Sequence, residues 1–284
     1  VYFLSEGDDD EGYVCEKQTE SMKFCLKYKR VLYRERSKYQ EIMIVETYDY
    51  GRALLLDGLF QTTERDEAFY HELLVHIPLF AHPRPQNVLI IGGGDGGSLR
   101  EALKHGIHVD LVEIDEKVIE ASKRHLFFPE EGDFNIIIMD GLEYLKSTAK
   151  KYDVIIVDGS DPTGPAETLF RDEFIVLLKN ALSNNGIVTL QSGSPIISEK
   201  HCYFFKLYAV LSRHFRIVKP YFYFVPTYPT GMWSYIAASD VINPEVPART
   251  PSEEFSFKVY TTKLHRSVFV APLFLERMLK NYEK

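Results

Sequence analysis

The 284-residue chain is short of positive charge. Lys plus Arg total 33 against 41 Asp plus Glu, a formal net charge of −8. That is the wrong sign for a protein that holds nucleic acid by neutralising phosphates. No apolar run approaches the ~18 residues of a membrane-spanning helix. The opening stretch VYFLSEGDDDEG has neither a basic segment nor a long apolar core, so no signal peptide is expected. It does not begin with Met, so residues are expected upstream of Val1. Cysteine is sparse: Cys15, Cys25 and Cys202 are scattered and odd in number, which predicts neither a disulfide framework nor a metal knuckle. The histidines are dispersed, and no metal site is expected. Together these deficits predict a soluble cytoplasmic protein of a reducing compartment, with no nucleic-acid or membrane partner. What remains is ordinary globular material, 45% hydrophobic and 26% charged. Its length suits one large domain or two smaller ones.

Two textures divide the chain. Residues 1–65 read as a small β domain: Glu41 to Glu46 and Ala53 to Leu56 are short apolar runs punctuated by Gly51 and Asp57-Gly58. Asp8 to Glu11 reads as a solvated loop. From Asp66 to the end, helix and strand alternate. Glu67 to Phe80 is helical, and five short β-branched runs follow: Val88–Ile91, Val109–Glu113, Phe134–Ile138, Val154–Val157 and Ile187–Leu190. That repeat predicts right-handed crossovers and a parallel, doubly wound α/β sheet. Tyr221 to Phe224, with prolines at 226 and 229, predicts further strands and a long loop.

The first of these strands runs directly into Gly92-Gly93-Gly94-Asp95-Gly96-Gly97 and a helix from Ser98 to Lys104. Gly92, Gly94 and Gly97 fit G-x-G-x-x-G in the strand-to-helix context that gives this motif its meaning. Glu113 ends the next strand, 19 residues past Gly94, where a carboxylate can grip ribose hydroxyls. An adenosine-type ligand is therefore expected. Asp95, inside the loop, would repel a pyrophosphate and suit a cation, and Asp140-Gly141 follows the third strand. Three acids after three successive strands favour a positively charged adenosyl ligand, a sulfonium nucleoside. An acid at a strand end can also be a helix N-cap, the alternative for Asp140.

The fourth strand opens into Asp158-Gly159-Ser160-Asp161-Pro162-Thr163-Gly164-Pro165-Ala166-Glu167. Ligands of open α/β sheets bind beyond the carboxyl ends of the strands. Asp158 and Asp161 therefore suit a diamine, one taking a proton while the other holds an ammonium. The alternative is a helix-capping turn.

These residues resemble the spermidine synthases, the polyamine aminopropyltransferases. The glycine signature with Leu99-Arg100-Glu101 carries the resemblance, together with Ser37 to Gln40, Leu56-Asp57-Gly58, Gln61 to Glu67, Tyr70-His71-Glu72, Val112 to Asp115, Asp140-Gly141, Asp158 to Glu167, Pro226 to Gly231 and His265 to Phe269. It spans nearly the whole chain. The resemblance implies a small N-terminal β domain, a Rossmann-like catalytic domain of the methyltransferase type, and assembly as a homodimer or homotetramer. It also implies transfer of an aminopropyl group from decarboxylated S-adenosylmethionine to a diamine such as putrescine, giving spermidine and methylthioadenosine. No cofactor beyond that co-substrate is implied. By resemblance, Gln40, Glu113, Asp140 and Gly141 hold the adenosine, Pro165 flanks it, and Asp95 takes the aminopropyl amine. Tyr70, His71, Asp158, Asp161 and Tyr228 line the acceptor side, with Asp158 as the base. The alternative for Tyr228 is packing among Tyr221, Phe222 and Tyr223. Two departures stand out: Gly159 replaces the usual Ser or Thr, and the stretch from Arg124 to Phe134 is short for a lid over the adenine. The competing reading is amine N-methylation with intact S-adenosylmethionine, which Asp95 disfavours because it would repel the donor's carboxylate. Agmatine, cadaverine and spermidine remain alternative acceptors.

Overall fold

The structure, a computed structural model, describes residues 12–159, 172–196 and 203–282. Asp161, Pro165, Cys202 and the acidic run Asp8 to Glu11 lie outside the described residues. Five strands form an antiparallel meander: β1 (Tyr13–Thr19), β2 (Met22–Arg36), β3 (Glu41–Thr47), β4 (Arg52–Leu56) and β5 (Leu59–Thr63). Asp57 and Gly58 link β4 to β5 with φ of 48° and 79°. Positive φ at both central residues is the two-residue turn that matches strand twist.

The alternation of β3 decides how this sheet is buried. Val45 joins Val14, Leu26, Ala53, Leu55 and Phe60 on one face. Ile42 and Ile44 turn the other way and pack with Val118 and Ala121 of helix α3 (Glu116–His125). Both faces are therefore committed, one of them to the larger unit.

Cys15 and Cys25 correct an expectation. They stand opposite one another in the β1–β2 ladder, with Cα atoms 4.1 Å apart, and are joined by a disulfide. Ten residues of separation carry no disulfide signature; the hairpin register brings the two together.

The larger sheet contains β6 (Asn87–Gly92), β7 (His108–Glu113), β8 (Phe134–Ile138), β9 (Tyr152–Asp158), β10 (Leu182–Gly193), β11 (Ile217–Phe224) and β12 (Met232–Ser239), in the order β11-β12-β10-β9-β6-β7-β8. The five strands foreseen pair in parallel. β12 runs antiparallel to both β10 and β11, so the sheet is mixed rather than wholly parallel. The reason is local: the short Pro226–Gly231 connection can join only antiparallel neighbours. This is a doubly wound, Rossmann-like sheet. Within β6, Leu89 and Ile91 face the core formed with α5 (Asp172–Ala181) and α6 (Phe204–His214). Val88 and Ile90 face α1 (Glu67–Ala81) and α2 (Gly97–Leu103) on the other side.

At its end β6 meets β9 with Gly92 opposite Asp158, and Gly93 N–H donates to the Asp158 carbonyl at 2.9 Å. Gly92 has φ 84°, and a Cβ there would lie 2.2 Å from the Asp158 carbonyl oxygen. Here β7 and β9 lie on opposite sides of β6, the switch point where open α/β sheets hold ligands.

Gly92→Ala combines left-handed backbone, about 1–2 kcal/mol, with overpacking, about 1–3 kcal/mol. We expect urea unfolding to show a loss of roughly 2–5 kcal/mol from these two effects.

Candidate active site

A crevice of about 1150 Å³, counted with its open mouth, lies beyond the carboxyl ends of β6, β7 and β9 and under the small sheet. Its described lining holds five carboxylates (Glu16, Asp95, Glu113, Asp140 and Asp158) and neither Lys nor Arg. In a medium of low dielectric such a lining favours cations.

Asp158 ends β9 at the crevice floor. Tyr70 Oη–H donates to its Oδ1 at 2.6 Å and Ser98 Oγ–H to its Oδ2 at 2.6 Å. Burial and the nearby Asp158 charge hold Tyr70 protonated, so it acts as donor. Burial raises the Asp158 carboxyl; His71, Ser98 and Tyr70 pull it down, and Asp95 pushes it up, with a raised value as the net result. A carboxylate raised in this way is a better proton acceptor than a free one.

Asp95 sits in the glycine loop. Its Oδ1 accepts from Gly97 N–H at 2.9 Å, and its Oδ2 lies 3.1 Å from His71 Nε2. The other ring nitrogen, Nδ1, lies 2.9 Å from Glu67 Oε2, one helical turn back on α1. Burial alone would lower the His71 value, but Asp95 and Glu67 outweigh it and raise it well above the ordinary range. His71 is therefore an imidazolium donating to two carboxylates. Burial alone would raise Glu67, yet His71 and Arg100 hold it at about 2. His71 lines the crevice, but both its nitrogens are engaged by acids.

The donor atoms of His71, Asp95 and Asp158 all lie within 4.8 Å of one another. Sequence spacing hid this cluster because its members come from α1, the glycine loop and β9. With both imidazole nitrogens occupied, the cluster is an ion-pair network.

Glu113 closes β7. Its Oε1 accepts from Asp115 N–H at 3.0 Å, and burial raises its carboxyl to about 7 against the backbone N–H groups of Asp115, Ile114 and Gly94. A Cβ at Gly94 would lie 2.9 Å from Glu113 Oε2, so a larger residue there would push the carboxyl away. Asp140 serves both readings offered for it: it caps helix α4 (Gly141–Ser147), accepting from Glu143 N–H at 3.0 Å, and it lines the crevice beside Gly141. Gln40 reaches the crevice from the turn between β2 and β3, with its amide nitrogen 3.2 Å from Asp115 Oδ2. The short stretch after Arg124 packs Phe128 against Gly96 and sets the Phe127 ring 5.9 Å from that of His71. It thus walls the glycine loop.

Tyr228 lies on the crevice wall. Its ring meets Tyr70 and Trp233 edge-on at 5.6 and 4.6 Å, and its hydroxyl donates to the Gln61 carbonyl. Tyr221 instead stacks on Tyr235, Phe222 meets Phe204, and Tyr223 lies on Phe69. While donating to Gln61, the Tyr228 oxygen keeps lone pairs for an N–H. The loop that carries it is pinned by buried Asp66, whose Oδ2 accepts from Thr227 N–H at 2.9 Å and Thr227 Oγ–H at 2.7 Å.

One crevice thus gathers Gln40, Tyr70, His71, Asp95, Glu113, Asp140, Gly141, Asp158 and Tyr228. Sequence reasoning gave no role to Glu16, Gln61, Asp66, Glu67, Ser98, Gln191 or Trp233. Ser98 directly follows the glycine motif, and Gln61, Asp66 and Glu67 lie within a stretch that carries the resemblance. Gln191, which donates to the Gly159 carbonyl at 2.8 Å, carried no signal, and neither did Glu16, which accepts from Phe60 N–H at 2.9 Å.

Residues 67–248 match the spermine/spermidine synthase domain, and residues 12–64 match the spermidine synthase tetramerisation domain. A polyamine aminopropyltransferase of Methanocaldococcus jannaschii is 46% identical over 272 residues, 90% of each chain. One of Thermoanaerobacter sp. is 40% identical, covering 94% of this chain and 98% of that one. A crystal structure of a spermidine synthase in complex with the transition state analogue AdoDATO superposes with a TM-score of 0.89 at 37% identity over 95% of both chains. That of the spermidine synthase from Thermotoga maritima gives 0.88 at 37% identity, over 95% of this chain and 94% of the other. The chain belongs to the spermine/spermidine synthase family, a family of aminopropyltransferases. No described helix is long and apolar enough to cross a membrane.

Asp66→Ala leaves the buried Thr227 N–H without an acceptor. We expect a stability loss of about 2–4 kcal/mol and a red shift in the emission of Trp233, the only tryptophan, as the Tyr228 loop loosens.

Proposed function

We propose that the protein transfers the aminopropyl group of decarboxylated S-adenosylmethionine to putrescine, giving spermidine and methylthioadenosine. The observation that carries this reading is the acid-lined crevice in which Asp95 and Asp158 cluster with His71, with no Lys or Arg in the described lining. A dinucleotide or any other phosphate ligand is disfavoured there. A sulfonium donor with a free ammonium and a diamine acceptor are favoured.

In this reading Glu113 accepts from the ribose hydroxyls. Asp140 takes the adenine amino group through the oxygen that does not cap α4. Gln40, Gly141 and Pro165 bound the nucleoside. Asp95 holds the aminopropyl ammonium. The acceptor lies among Tyr70, Tyr228, Asp158 and Asp161, with His71 behind it. An alkylammonium titrates near ~10.4 and is protonated at neutral pH. Asp158 takes one proton, which frees the nitrogen lone pair. The nitrogen then bonds to the methylene next to the sulfonium, the carbon–sulfur bond breaks, and its electron pair leaves with sulfur as a neutral thioether. Orientation alone can supply about 7–11 kcal/mol when both reactants are well held. The chemistry needs no cofactor beyond the co-substrate. Assembly as a homodimer or homotetramer through the N-terminal sheet, and residence in the cytoplasm, belong to the same reading. The tetramerisation-domain match supports the assembly.

The direct test incubates the protein with the decarboxylated donor and a panel of putrescine, cadaverine, agmatine and spermidine, with products identified by mass. A methylated product from intact S-adenosylmethionine instead would overturn the reading. Asp158→Asn keeps shape but cannot accept the proton. It is expected to cut turnover by about 10²–10⁴ while donor affinity stays near wild type.

Glu113 gives a pH test. Its carboxyl is raised to about 7, so below that pH it is protonated and a donor gripped by the carboxylate must displace the proton. Calorimetry should find donor binding about tenfold weaker at pH 6 than at pH 8. Glu113→Gln should flatten this dependence.

A further inference from the structure

We infer that Glu67 is a positioning residue for aminopropyl transfer: through the His71 ring it fixes the Asp95 carboxylate at the crevice wall, and Arg100 fixes Glu67 in turn. The inference rests on the reading of Asp95 as the holder of the donor's ammonium.

The geometry is a ladder of alternating charge running from α2 through α1 to the glycine loop. Arg100 Nη2 donates to Glu67 Oε2 at 2.6 Å. The same oxygen lies 2.9 Å from His71 Nδ1, and His71 Nε2 lies 3.1 Å from Asp95 Oδ2. The Glu67 and His71 side chains are each 2% exposed, so water does not compete for these contacts. Glu67 Oε1 has a second cation, Lys258, at 3.5 Å.

The imidazole is held face-on as well as in plane. A Cβ on Gly97 would lie 2.2 Å from the ring, so the α2 backbone rests directly against it. Tyr70 meets it edge-on at 5.1 Å. Its remaining freedom is rotation about its own axis, and the two carboxylates at its nitrogens set that angle. Arg100 in turn lies over the Phe127 ring at 4.7 Å.

The ladder also decides a charge balance. The groups facing His71 are Glu67 on α1, Asp95 in the loop and Asp158 on β9; those facing Glu67 are His71, Arg100 and Lys258. The Asp95 charge pushes the nearby Asp158 carboxyl up, and the imidazolium beside it pulls that carboxyl down. Glu67 is the second acid holding the proton on that imidazole. Without its charge His71 gives up the proton more readily, and the Asp158 carboxyl, no longer pulled down by the imidazolium, keeps its own proton to a higher pH. Asp158 becomes available as a base later, and Asp95 holds an ammonium less well.

Glu67→Gln keeps size and an acceptor oxygen but removes the charge. The expected result is a folded enzyme whose donor KM rises about tenfold, the scale of one charge-assisted hydrogen bond. The amine KM should change by less than about twofold, and the acid limb of the kcat/KM profile should move up by about one pH unit. A merely structural role would lower kcat through loss of folded protein and leave both KM values and the pH profile in place. That outcome overturns the inference. Arg100→Gln, which leaves the Glu67–His71 pair intact, provides a second variant should Glu67→Gln not fold. It should shift donor KM the same way by about threefold, and an unchanged donor KM in that variant counts against the ladder.

The two assignments separate in the Asp95→Asn background. If Glu67 acts through Asp95, adding Glu67→Gln to Asp95→Asn leaves donor KM where Asp95→Asn alone puts it. Additive effects overturn the role of Glu67 while Asp95 stands. A donor KM unchanged by Asp95→Asn overturns the reading of Asp95 itself.

Discussion

Gly92 and Asp158 lie opposite one another at the ends of β6 and β9, where a single added carbon would overlap the Asp158 carbonyl. That close approach sets the floor of the crevice. It brings the glycine loop beside the end of β9, gathers Asp95, Asp158 and His71 into one cluster, and lets Ser98 at the start of α2 reach the Asp158 carboxylate. Glycine at 94 does the same for Glu113. At 92 the absence of a side chain lets two backbones meet, and at 94 it lets a carboxyl come close to backbone.

Enclosing so many acids is costly unless each has hydrogen-bond donors. The structure supplies them unevenly. Asp158 has two hydroxyls, Asp95 a backbone N–H and an imidazolium, and Glu113 backbone N–H groups alone. Glu113 accordingly sits at about 7, whereas Glu67, with its two strong partners, is held at about 2. Similar side chains therefore carry different charge at the same pH, a difference set by burial and by the donors that oppose it.

The small sheet is part of the site. Gln40 and Ser37 both reach Asp115, at the N-terminus of α3, and so tie the β2–β3 turn to the nucleoside end of the crevice. At the other end Thr63, Asp66 and Thr227 tie the last strand of the small sheet to the loop bearing Tyr228. Both ties hold the small sheet over the crevice.

The sequence by itself determined the elements whose signals are local. Alternating and continuous apolar runs marked β3, β4 and β6 through β10, Asp57-Gly58 marked a turn, and the glycine loop with Asp95, Glu113, Asp140 and Asp158 marked the ligand end of the sheet. Asp161 and Pro165, read from the same loop, fall outside the described residues. Tertiary structure alone decided what depends on register and on contacts between distant segments. The antiparallel insertion of β12 between β10 and β11 was invisible because strand order leaves no local periodicity. The Cys15–Cys25 bridge came from hairpin register, and Glu16 and Gln191 entered the crevice only once β1 and β10 were placed. His71 looked like a residue of the acceptor side, yet its charge and partners were fixed by α1, α2 and β9 packing around one ring. A side chain's type is written in the chain; its protonation and partners come from neighbours far along it, which the fold brings within hydrogen-bond distance.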